Sequence, residues 1–575
     1  MRTAKERYKK WLEKLPAGDP MREELEAIAG DEKEIRERFS RVISFGTAGL
    51  RGICSAGTSR MNVLTIGRAV QGIANYIKAS GADPDRGVVI AYDCRYHSRE
   101  FSELAASILA ANRIRVYLFP EMRPTPELSF TVRQMRCAAG LNLTASHNPK
   151  EYNGMKVYWS DGAQISGAVS DGISEEIGKL DFFRGIRQMP LAEAEERGLL
   201  VMLGEKTDRA YLSYVKSMRR HTEEDLDLTA SIVYTPLNGT GAAAVRQVLT
   251  EMGFWNFRIV PEQEMPDPEF TTVGYPNPED PKTFRLAEEL GASVGADVLI
   301  ATDPDSDRMA IEIPCRDGKY HFLNGNQTGA MLIAYMAEGL RERGEVTKGS
   351  DTADLPHRYA LIKSIVTGDM GAAIARSYGI AVFETLTGFK NICGKIHDIE
   401  KEGFRYFFGY EESIGCAPSA EVRDKDGVCS TMLIAEMTAY YRKRGMTLEE
   451  VLEALYREYG YFYEEDVSLV REGEEGIAQI AGIMEAFRQE KPLTFGALQV
   501  REIIDYLEGN RDVPVTNAMR FDFGDGTWFA LRPSGTEPKL KFYYYACAED
   551  RDTAAARVHD MRAGAEALIE RTEAQ

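Results

Sequence analysis

The chain has 575 residues, 44% of them hydrophobic, and its 70 basic and 89 acidic side chains give a formal net charge of −19. This length predicts several domains, each able to bury a core of its own. The acidic balance excludes a general nucleic-acid or anionic-membrane surface, although a small phosphate ligand needs only local cationic and N–H groups. No run of about 18 apolar residues occurs, so we expect no membrane span.

The amino terminus, MRTAKERYKKWLEKLP, is charged throughout and lacks the apolar core of a secretory signal. We expect a short surface helix there, within a helical extension over residues 1–40. The eight cysteines include no C-x-x-C pair and no cysteine–histidine spacing typical of zinc. Free thiols in a reducing, cytoplasmic compartment are therefore expected.

Strands and helices then alternate in a rhythm typical of βαβ units. The first unit has strands at residues 87–93, 114–119 and 138–143 and a helix at 98–112. The second has strands at 231–234 and 297–302 with a helix at 240–252, and a proline-rich loop at 261–281. The third has a helix at 325–343 and strands at 362–367 and 404–409. Three similar α/β domains with mixed, largely parallel sheets are predicted.

The last segment has a different pattern. Residues 520–523 and 528–531 predict a hairpin around Gly524-Asp-Gly526, followed by a strand at 541–546 and a helix at 553–572. This predicts a smaller α+β domain. The expected divisions are a helical extension at 1–40, then domains at 41–210, 211–324, 325–450 and 451–575, arranged around a central cleft.

The segment Thr144-Ala-Ser-His-Asn-Pro149 follows a predicted strand, where α/β sheets bind ligands. Ser146 is the candidate nucleophile, although an ordinary serine- and asparagine-containing turn explains the same residues. Without flanking glycines, this is not the G-x-S-x-G elbow of a hydrolase. Lys156 is a candidate phosphate ligand or proton carrier.

Asp303, Asp305 and Asp307 alternate along the loop after another predicted strand, so an extended loop lets all three carboxylates meet one hard cation. Close carboxylates repel one another unless a cation lies among them. An EF-hand is excluded, because Arg308 stands where that loop needs glycine and Pro314 where it needs glutamate. A solvated acidic turn is the alternative. We expect a Mg²⁺ site that also takes a phosphate oxygen.

Two further loops suit a phosphorylated sugar. Residues 409–415, GYEESIG, offer carboxylates and a hydroxyl as partners for sugar hydroxyls, although a plain charged loop is the alternative. Residues 531–539, LRPSGTEPK, offer an arginine and small residues suited to a phosphate, and they do not form a Walker A motif. The four loops offer a nucleophile, carboxylates for a cation, partners for sugar hydroxyls and groups that bind a phosphate. Together they predict a phosphosugar site in a cleft between domains.

These four loops, with FGTAGLRG at residues 45–52, resemble the motifs of the α-D-phosphohexomutase family, which includes phosphoglucomutases and phosphomannomutases. The five motifs occur in the family's order and span residues 45–539. The metal loop here is DPDSDR, where the family more often has DGDGDR or DPDADR. The GYEESIG loop is closer to the phosphoglucomutase form than to the GEMSGH form of dual-specificity members.

The resemblance implies a role for each matching position. Ser146 would carry the phosphoryl group, and its phosphate would hold Mg²⁺ together with Asp303, Asp305 and Asp307. The residues expected around the transferring group are Arg51, His147, Lys156 and Arg308. The expected substrate contacts are Thr387, Gly388, Glu411, Ser413 and Lys425, and the expected distal phosphate clamp is Arg532, Ser534, Gly535 and Thr536.

The family further implies an intramolecular phosphotransferase that interconverts glucose 1-phosphate and glucose 6-phosphate through a sugar bisphosphate, with glucose 1,6-bisphosphate as activator. One hydroxyl orientation separates glucose from mannose, so phosphomannomutase and phosphopentomutase activities stay open. A phosphatase and an inactive phosphosugar-binding paralogue are rival hypotheses. The expected partner is a small phosphosugar, not a nucleic acid or membrane, and the protein is expected to be a monomer or dimer.

Overall fold

The structure is a computed structural model that describes residues 3–44, 49–349, 357–471, 473–509, 513–534 and 539–573. The chain forms two compact units. The first comprises Met1–Phe322 and Gly415–Lys443, and the second comprises Leu323–Ile414 and Arg444–Gln575. The first unit therefore recruits a segment that lies about 90 residues further along the chain.

The amino-terminal extension forms three helices: α1 (Ala4–Lys14), α2 (Pro20–Ala27) and α3 (Glu32–Phe39). The expected short surface helix is confirmed as α1, although one face of it is buried, with Trp11 almost fully covered. Its indole packs edge-to-face on Phe39, Phe182 and Phe183, with ring centroids 5.4–5.6 Å apart. Since these aromatic pairs bury large apolar areas, the extension is part of the folded core.

The next segment contains β1 (Leu50–Ile53), α4 (Val63–Ala79), β2 (Val88–Tyr92), α5 (Ser98–Ala111), β3 (Val116–Leu118), α6 (Thr125–Gln134), β4 (Ala139–Leu143), β5 (Tyr152–Trp159), α7 (Gly167–Gly178), α8 (Leu191–Glu196), β6 (Leu200–Met202) and α9 (Glu205–Ser217). One six-stranded sheet runs in the order β1-β5-β4-β2-β3-β6. Strands β4, β2, β3 and β6 are parallel, whereas β5 pairs antiparallel with β4 and β1. Strands β2 and β4 are fully buried. Strand β2 is an uninterrupted apolar run, as expected for a strand covered on both faces, and β4 contains one polar residue, Asn142.

The second sheet is built from β7 (Ile232–Thr235), α10 (Gly241–Glu251), β8 (Phe257–Ile259), α11 (Pro261–Glu264), α12 (Arg285–Val294), β9 (Val298–Thr302), β10 (Met309–Pro314) and β11 (Tyr320–Leu323). Its order is β11-β10-β9-β7-β8. Strands β9, β7 and β8 are parallel, and β10 turns back antiparallel on β9. The four-residue helix α11 occupies the start of the stretch predicted to be a loop.

The third segment contains α13 (Gly325–Glu342), β12 (Tyr359–Ser364), α14 (Met370–Ser377), β13 (Ala381–Thr385), α15 (Phe389–Lys401), β14 (Arg405–Tyr410), β15 (Cys416–Ala417), α16 (Gly427–Lys443) and α17 (Leu448–Tyr459). Strand β12 lies between β13 and β14, and all three are parallel. It begins and ends three residues before the predicted 362–367. Ile365 and Val366 lie beyond its end and are buried in one cluster with Trp528 and Tyr506.

Helix α16 belongs to the first unit. Its buried Glu436 accepts hydrogen bonds from the backbone N–H groups of Arg220 and His221, which follow α9. The helix also packs on α10 and on strands β9 and β10. As a result, the loop immediately before α16 lies beside the second sheet.

The final segment contains β16 (Tyr461–Val470), α18 (Gly473–Glu490), β17 (Thr494–Phe495), β18 (Leu498–Gln499), β19 (Glu502–Asp505), β20 (Met519–Gly524), β21 (Thr527–Pro533), β22 (Lys539–Ala548) and α19 (Arg551–Glu573). The antiparallel sheet runs β16-β22-β21-β20-β19. Helices α18 and α19 share one core with it, built around Phe487, Phe521 and Phe529. The predicted hairpin is confirmed as β20 and β21.

The predicted fold class is confirmed: three α/β segments with mixed sheets precede a smaller α+β segment. The exact domain boundaries stay a prediction. Among the described residues, no helix combines the length and apolarity needed to cross a bilayer.

We predict that Glu312→Gln changes the pH dependence of stability. Glu312 lies on β10 with 2% of its surface exposed, and burial, with a smaller contribution from Glu288, raises the pKa of this carboxyl to about 8. The folded state therefore keeps a proton that the unfolded chain releases above the ordinary pKa of 4.5. The free energy of unfolding therefore decreases as the pH rises from 4.5 to about 8, because the stability contributed by the neutral carboxyl is lost over that range.

Glutamine stays neutral, so the variant should melt about 2–4 °C above the parent at about pH 8.5 and show no such advantage at about pH 4.5. Thermal unfolding followed by circular dichroism at the two pH values measures this. Glu289→Gln, at an exposed position of α12 that pairs with Arg285, is the matched control. A Glu312→Gln effect of equal size at both pH values would contradict the assignment.

Candidate active site

Ser146 stands immediately beyond β4 and is held in a strained backbone conformation. Its φ is 51°, in the left-handed region that costs a non-glycine residue free energy. Its N–H donates to Thr144 Oγ1 at 2.8 Å, and that hydroxyl donates to Asp93 Oδ2 at 2.6 Å. Because Thr144 and Asp93 are both buried, these hydrogen bonds stabilise the turn in this shape.

Arg95 supports the same turn from the neighbouring strand end. Its guanidinium donates to the carbonyl oxygens of Ser146 at 2.6 Å, Pro149 at 2.8 Å and Tyr152 at 3.0 Å. The charge is balanced by buried Asp93, 3.3 Å away. Arg95 was not predicted as a site residue, although its position just after a buried strand parallel to β4 could have indicated it.

Three aspartates from the loop between β9 and β10 converge on the hydroxyl of Ser146. One ligand oxygen from each of Asp303, Asp305 and Asp307 lies within 4.8 Å of the other two, and all three side chains are buried. Ser146 Oγ donates to Asp303 Oδ2 at 2.5 Å. Residues 157 positions apart along the chain are thus brought into direct contact.

Two lysines offset the charge of this cluster. Lys156 Nζ lies 2.7 Å from both Asp305 Oδ2 and Asp307 Oδ2, and Lys425 Nζ lies 3.1 Å from Asp307 Oδ2. Burial by itself lowers the pKa of Lys156, but the two carboxylates raise it above its ordinary value. Burial likewise opposes ionisation of Asp307, but Lys156 and Lys425 hold its pKa below its usual range. Both groups are therefore charged at neutral pH.

The remaining oxygens of the cluster fit a divalent cation. Asp305 Oδ1 and Asp307 Oδ1 are buried and accept no hydrogen bond from any residue that the structure describes. A bare buried carboxylate oxygen is costly unless a cation or donor meets it. Carboxylate oxygens are also the ligands that hard cations such as Mg²⁺ prefer. The three aspartates could therefore hold a metal ion beside Ser146.

The other residues expected around the transferring group also lie in this region. His147 Nδ1 is 3.4 Å from Ser146 Oγ, and burial, followed by Arg308 and Arg51, lowers the pKa of this imidazole to about 2, so it is neutral. Arg51 donates to Asn148 Oδ1 at 2.9 Å. The backbone N–H of Arg308 donates to Asp303 Oδ1 at 3.0 Å.

Two glycines permit the close approach of backbones at the site. A Cβ on Gly154 would lie 2.5 Å from the carbonyl oxygen of Leu50, where β5 passes β1. A Cβ on Gly427, the first residue of α16, would lie 2.6 Å from the carbonyl oxygen of Ser306 in the aspartate loop. Glycine at these positions lets β5 pack closely on β1, and lets the start of α16 pack closely on the aspartate loop.

The sequence placed Lys425 with the sugar-binding residues. The structure places it in the first unit, because it belongs to the segment that precedes α16. Besides Asp307, it pairs with Asp424 at 3.0 Å. Asp424 is buried and accepts hydrogen bonds from Tyr158 at 2.7 Å and Gln164 at 2.6 Å. This anchored aspartate holds the ammonium group against the aspartate cluster.

The second unit brings together another part of the predicted set. Glu411 is buried and accepts a hydrogen bond from the backbone N–H of Gly388. Arg532 on β21 donates to Thr387 Oγ1, and its buried Nε meets no acceptor among the described residues. Ser413 is partly exposed. A buried guanidinium N–H without an acceptor is suited to an anionic ligand.

The predicted phosphate loop is described only at its base. The N–H of Ser534 donates to the carbonyl oxygen of Lys539 at 2.7 Å, which closes that base. Gly535 and Thr536 lie outside the described residues, as do positions 45–48 of the amino-terminal motif.

Four family models match the chain in order. The alpha/beta/alpha domains I, II and III of phosphoglucomutase/phosphomannomutase match residues 42–184, 209–315 and 324–459, and the C-terminal domain matches 468–563. Together they cover most of the chain, including every predicted site residue.

Curated relatives agree with this. A phosphoglucomutase from Staphylococcus epidermidis is 36% identical over 539 residues, covering 92% of this chain and 95% of its own length. One from Staphylococcus aureus is 36% identical over 545 residues, covering 92% and 94%.

Solved structures share the fold. The exocytosis-sensitive phosphoprotein pp63/parafusin, a phosphoglucomutase from Paramecium, has a TM-score of 0.69 at 20% identity and covers 92% of this chain and 95% of its own. A phosphoglucomutase/phosphomannomutase family protein from Burkholderia thailandensis has a TM-score of 0.65 at 18% identity, covering 91% and 97%. On the strength of the four domain matches and the full-length relatives, the chain belongs to the phosphoglucomutase/phosphomannomutase family.

Proposed function

We propose that this enzyme interconverts glucose 1-phosphate and glucose 6-phosphate, with Ser146 as the phosphorylated relay. The observation that carries the proposal is the 2.5 Å hydrogen bond from Ser146 Oγ to Asp303 Oδ2. Through this bond, the candidate nucleophile and the carboxylates suited to a cation share one buried site. Phosphoryl transfer depends mainly on such positioning and on charge neutralisation.

Asp303, Asp305 and Asp307 would hold Mg²⁺ together with an oxygen of the Ser146 phosphate. When bound there, Mg²⁺ supplies Lewis-acid neutralisation of the charge on the transferring group. The fit rests on the bare oxygens Asp305 Oδ1 and Asp307 Oδ1, which neither Lys156 nor Lys425 satisfies. Three protein carboxylates leave positions in an octahedral shell for phosphate oxygen and water.

The first transfer breaks the bond between Ser146 Oγ and phosphorus and forms a bond from phosphorus to the free hydroxyl oxygen of the sugar phosphate. The product is a sugar bisphosphate, and the proton of the sugar hydroxyl ends on Ser146 Oγ, which is restored as a free hydroxyl. Lys156, Arg308 and Arg51 are proposed to stabilise negative charge on the moving group. Neutral His147 donates or accepts a hydrogen bond there without adding charge.

The second transfer returns a phosphoryl group to Ser146 from the other end of the bisphosphate. While one phosphate reacts, the other must be held, so the mechanism needs a second anion site. We assign it to Arg532, Ser534, Gly535 and Thr536, with the buried Nε of Arg532 in support. Glu411, Ser413 and the Thr387-Gly388 backbone are assigned to the sugar hydroxyls. Glucose 1,6-bisphosphate would act as activator by phosphorylating an unmodified Ser146.

The choice of glucose is supported by the full-length relatives, which are named phosphoglucomutase, and by the GYEESIG form of the sugar loop. The proposed domain boundaries are 41–210 for the phosphoserine domain, 211–324 for the metal domain, 325–450 for the sugar domain and 451–575 for the distal phosphate domain. Residues 1–40 form the amino-terminal extension.

The cytoplasm is the proposed compartment. No disulfide joins any of the eight cysteines, all of which lie in the described part of the chain. This suits a reducing environment, and the proposed substrates are phosphorylated metabolites. The functional unit is proposed to be a monomer or dimer that binds no nucleic acid and no membrane.

We predict that Ser146→Ala abolishes mutase activity while the fold is retained. The variant has no oxygen to carry the phosphoryl group, so kcat should fall by at least about 10³-fold. Coupled spectrophotometry measures the rate, and intact-protein mass spectrometry should detect phosphate on the parent treated with glucose 1,6-bisphosphate but not on the variant. Ser102→Ala, which removes another buried hydroxyl, is the matched control. More than about a tenth of parental activity in Ser146→Ala would refute the relay.

Chelation should inactivate the enzyme reversibly. Excess EDTA withdraws the cation that the three aspartates hold, and the remaining lysines cannot bridge Ser146 phosphate to the substrate. Activity should return when free Mg²⁺ is restored. Undiminished turnover in excess chelator, after prior dialysis against it, would remove the metal from the mechanism.

A substrate panel tests the sugar identity. Enzyme primed with Mg²⁺ and glucose 1,6-bisphosphate should show its highest kcat/KM with glucose 1-phosphate among the 1-phosphates of glucose, mannose, ribose and N-acetylglucosamine. Higher kcat/KM for ribose or mannose 1-phosphate would identify a phosphopentomutase or phosphomannomutase instead. Inorganic phosphate release matching sugar turnover would indicate a phosphatase.

A further inference from the structure

Thr125 contacts the middle aspartate of the cluster at two points. It opens helix α6, in the sequence Pro124-Thr-Pro126, and is completely buried. Its N–H donates to the carbonyl oxygen of Asp305 at 2.8 Å, and its Oγ1 donates to Asp305 Oδ2 at 2.5 Å. One contact ties the loop backbone to the helix, and the other orients the carboxylate.

The direction of the side-chain hydrogen bond follows from the groups around it. Asn142 Nδ2 lies 2.5 Å from Thr125 Oγ1 and can only donate. Asp305 is an acceptor when ionised, so the one hydroxyl proton of Thr125 points to Oδ2. If the amide of Asn142 were rotated by 180°, its oxygen would face Thr125 Oγ1 and compete with Asp305 for the same proton. The amide is therefore assigned with Nδ2 toward Thr125.

Asn142 and Lys156 reach Asp305 from adjacent strands. They are direct cross-strand partners on β4 and β5. Lys156 contacts Asp305 Oδ2 itself at 2.7 Å, and Asn142 acts on the same oxygen through Thr125. Both supports engage Oδ2, which leaves Oδ1 as the buried oxygen that accepts no hydrogen bond within the described chain.

We propose that Thr125 is a positioning residue for the metal centre. Its hydroxyl, oriented by Asn142, holds one oxygen of Asp305 so that the other is presented to the divalent cation. This inference rests on the proposed metal site and adds residues from a separate part of the chain to it. Groups that orient metal ligands in this way commonly contribute about 10–100-fold to metal affinity.

The hydroxyl has a separable role because the backbone contact remains without it. A valine at position 125 keeps the shape of the side chain and the N–H donor to the Asp305 carbonyl. It removes the hydrogen bond to the carboxylate and, with it, the acceptor for Asn142 Nδ2. A purely structural threonine would lower thermal stability when changed to valine, but it would leave cation affinity unaltered.

The test measures Mn²⁺ binding to full-length, unphosphorylated protein by electron paramagnetic resonance, without substrate. Thr125→Val should raise the Kd for Mn²⁺ at least about tenfold, whereas Thr125→Ser, which keeps the hydroxyl, should stay much closer to the parent. Thr131→Val is the matched control, because Thr131 is a buried threonine of the same helix whose hydroxyl donates to the carbonyl oxygen of Glu127. Its Kd should be unchanged.

The outcomes separate this inference from the proposed function. If the parent binds no Mn²⁺, the proposed metal site itself fails. If the parent binds Mn²⁺ and folded Thr125→Val binds it equally well, the site stands and the role of Thr125 is overturned. If Thr125→Val does not fold, Asn142→Ala is measured in its place. A higher Kd for Mn²⁺ supports the orientation of Asp305 by Asn142 and Thr125, and an unchanged Kd refutes it.

Discussion

Three carboxylates buried within 4.8 Å of one another can coexist only where positive charge and hydrogen-bond donors meet them. The protein supplies part of what they need. Asp303 accepts hydrogen bonds from Ser146 Oγ and from the backbone N–H of Arg308. Asp305 accepts one from Thr125 and pairs with Lys156. Asp307 pairs with Lys156 and Lys425. Asp305 Oδ1 and Asp307 Oδ1 accept no hydrogen bond from the described residues, although Arg308 Nε lies 3.9 Å from Asp307 Oδ1, and both oxygens suit a cation.

The surrounding fold supplies these partners from distant parts of the chain. The strained turn of Ser146 is held by Arg95 after β2, and the aspartate loop is backed by Gly427 at the start of α16. Lys425 lies in the same segment, Gly415–Lys443, which follows strands β12 to β14 in the chain but belongs to the first unit. Local strain and charge repulsion are thereby offset by contacts that form only once the unit is assembled.

The sequence by itself determined the elements and the chemistry of the loops. Apolar runs, uninterrupted in β2, broken by Asn142 in β4 and ended by Thr302 in β9, predicted buried parallel strands, since strands covered on both faces tolerate that composition. Polar residues just after these strands, including Ser146 and Asp303, indicated that a ligand binds at the carboxyl ends of the strands. The alternation of three aspartates indicated a cation site, because such spacing is unfavourable without one. The antiparallel carboxyl-terminal hairpin followed from its Asp-Gly turn.

Only the tertiary structure decided which groups serve those loops. Arg95, Thr125, Asn142 and Asp424 are ordinary polar residues in sequence, and their roles depend on strand register and on the packing of α6 and of the segment before α16. Trp11 looked like part of a surface helix until Phe39, Phe182 and Phe183 enclosed it. The physical reason is common to all of them: burial and hydrogen-bond partners far apart along the chain are properties of the assembled fold, which local composition does not encode.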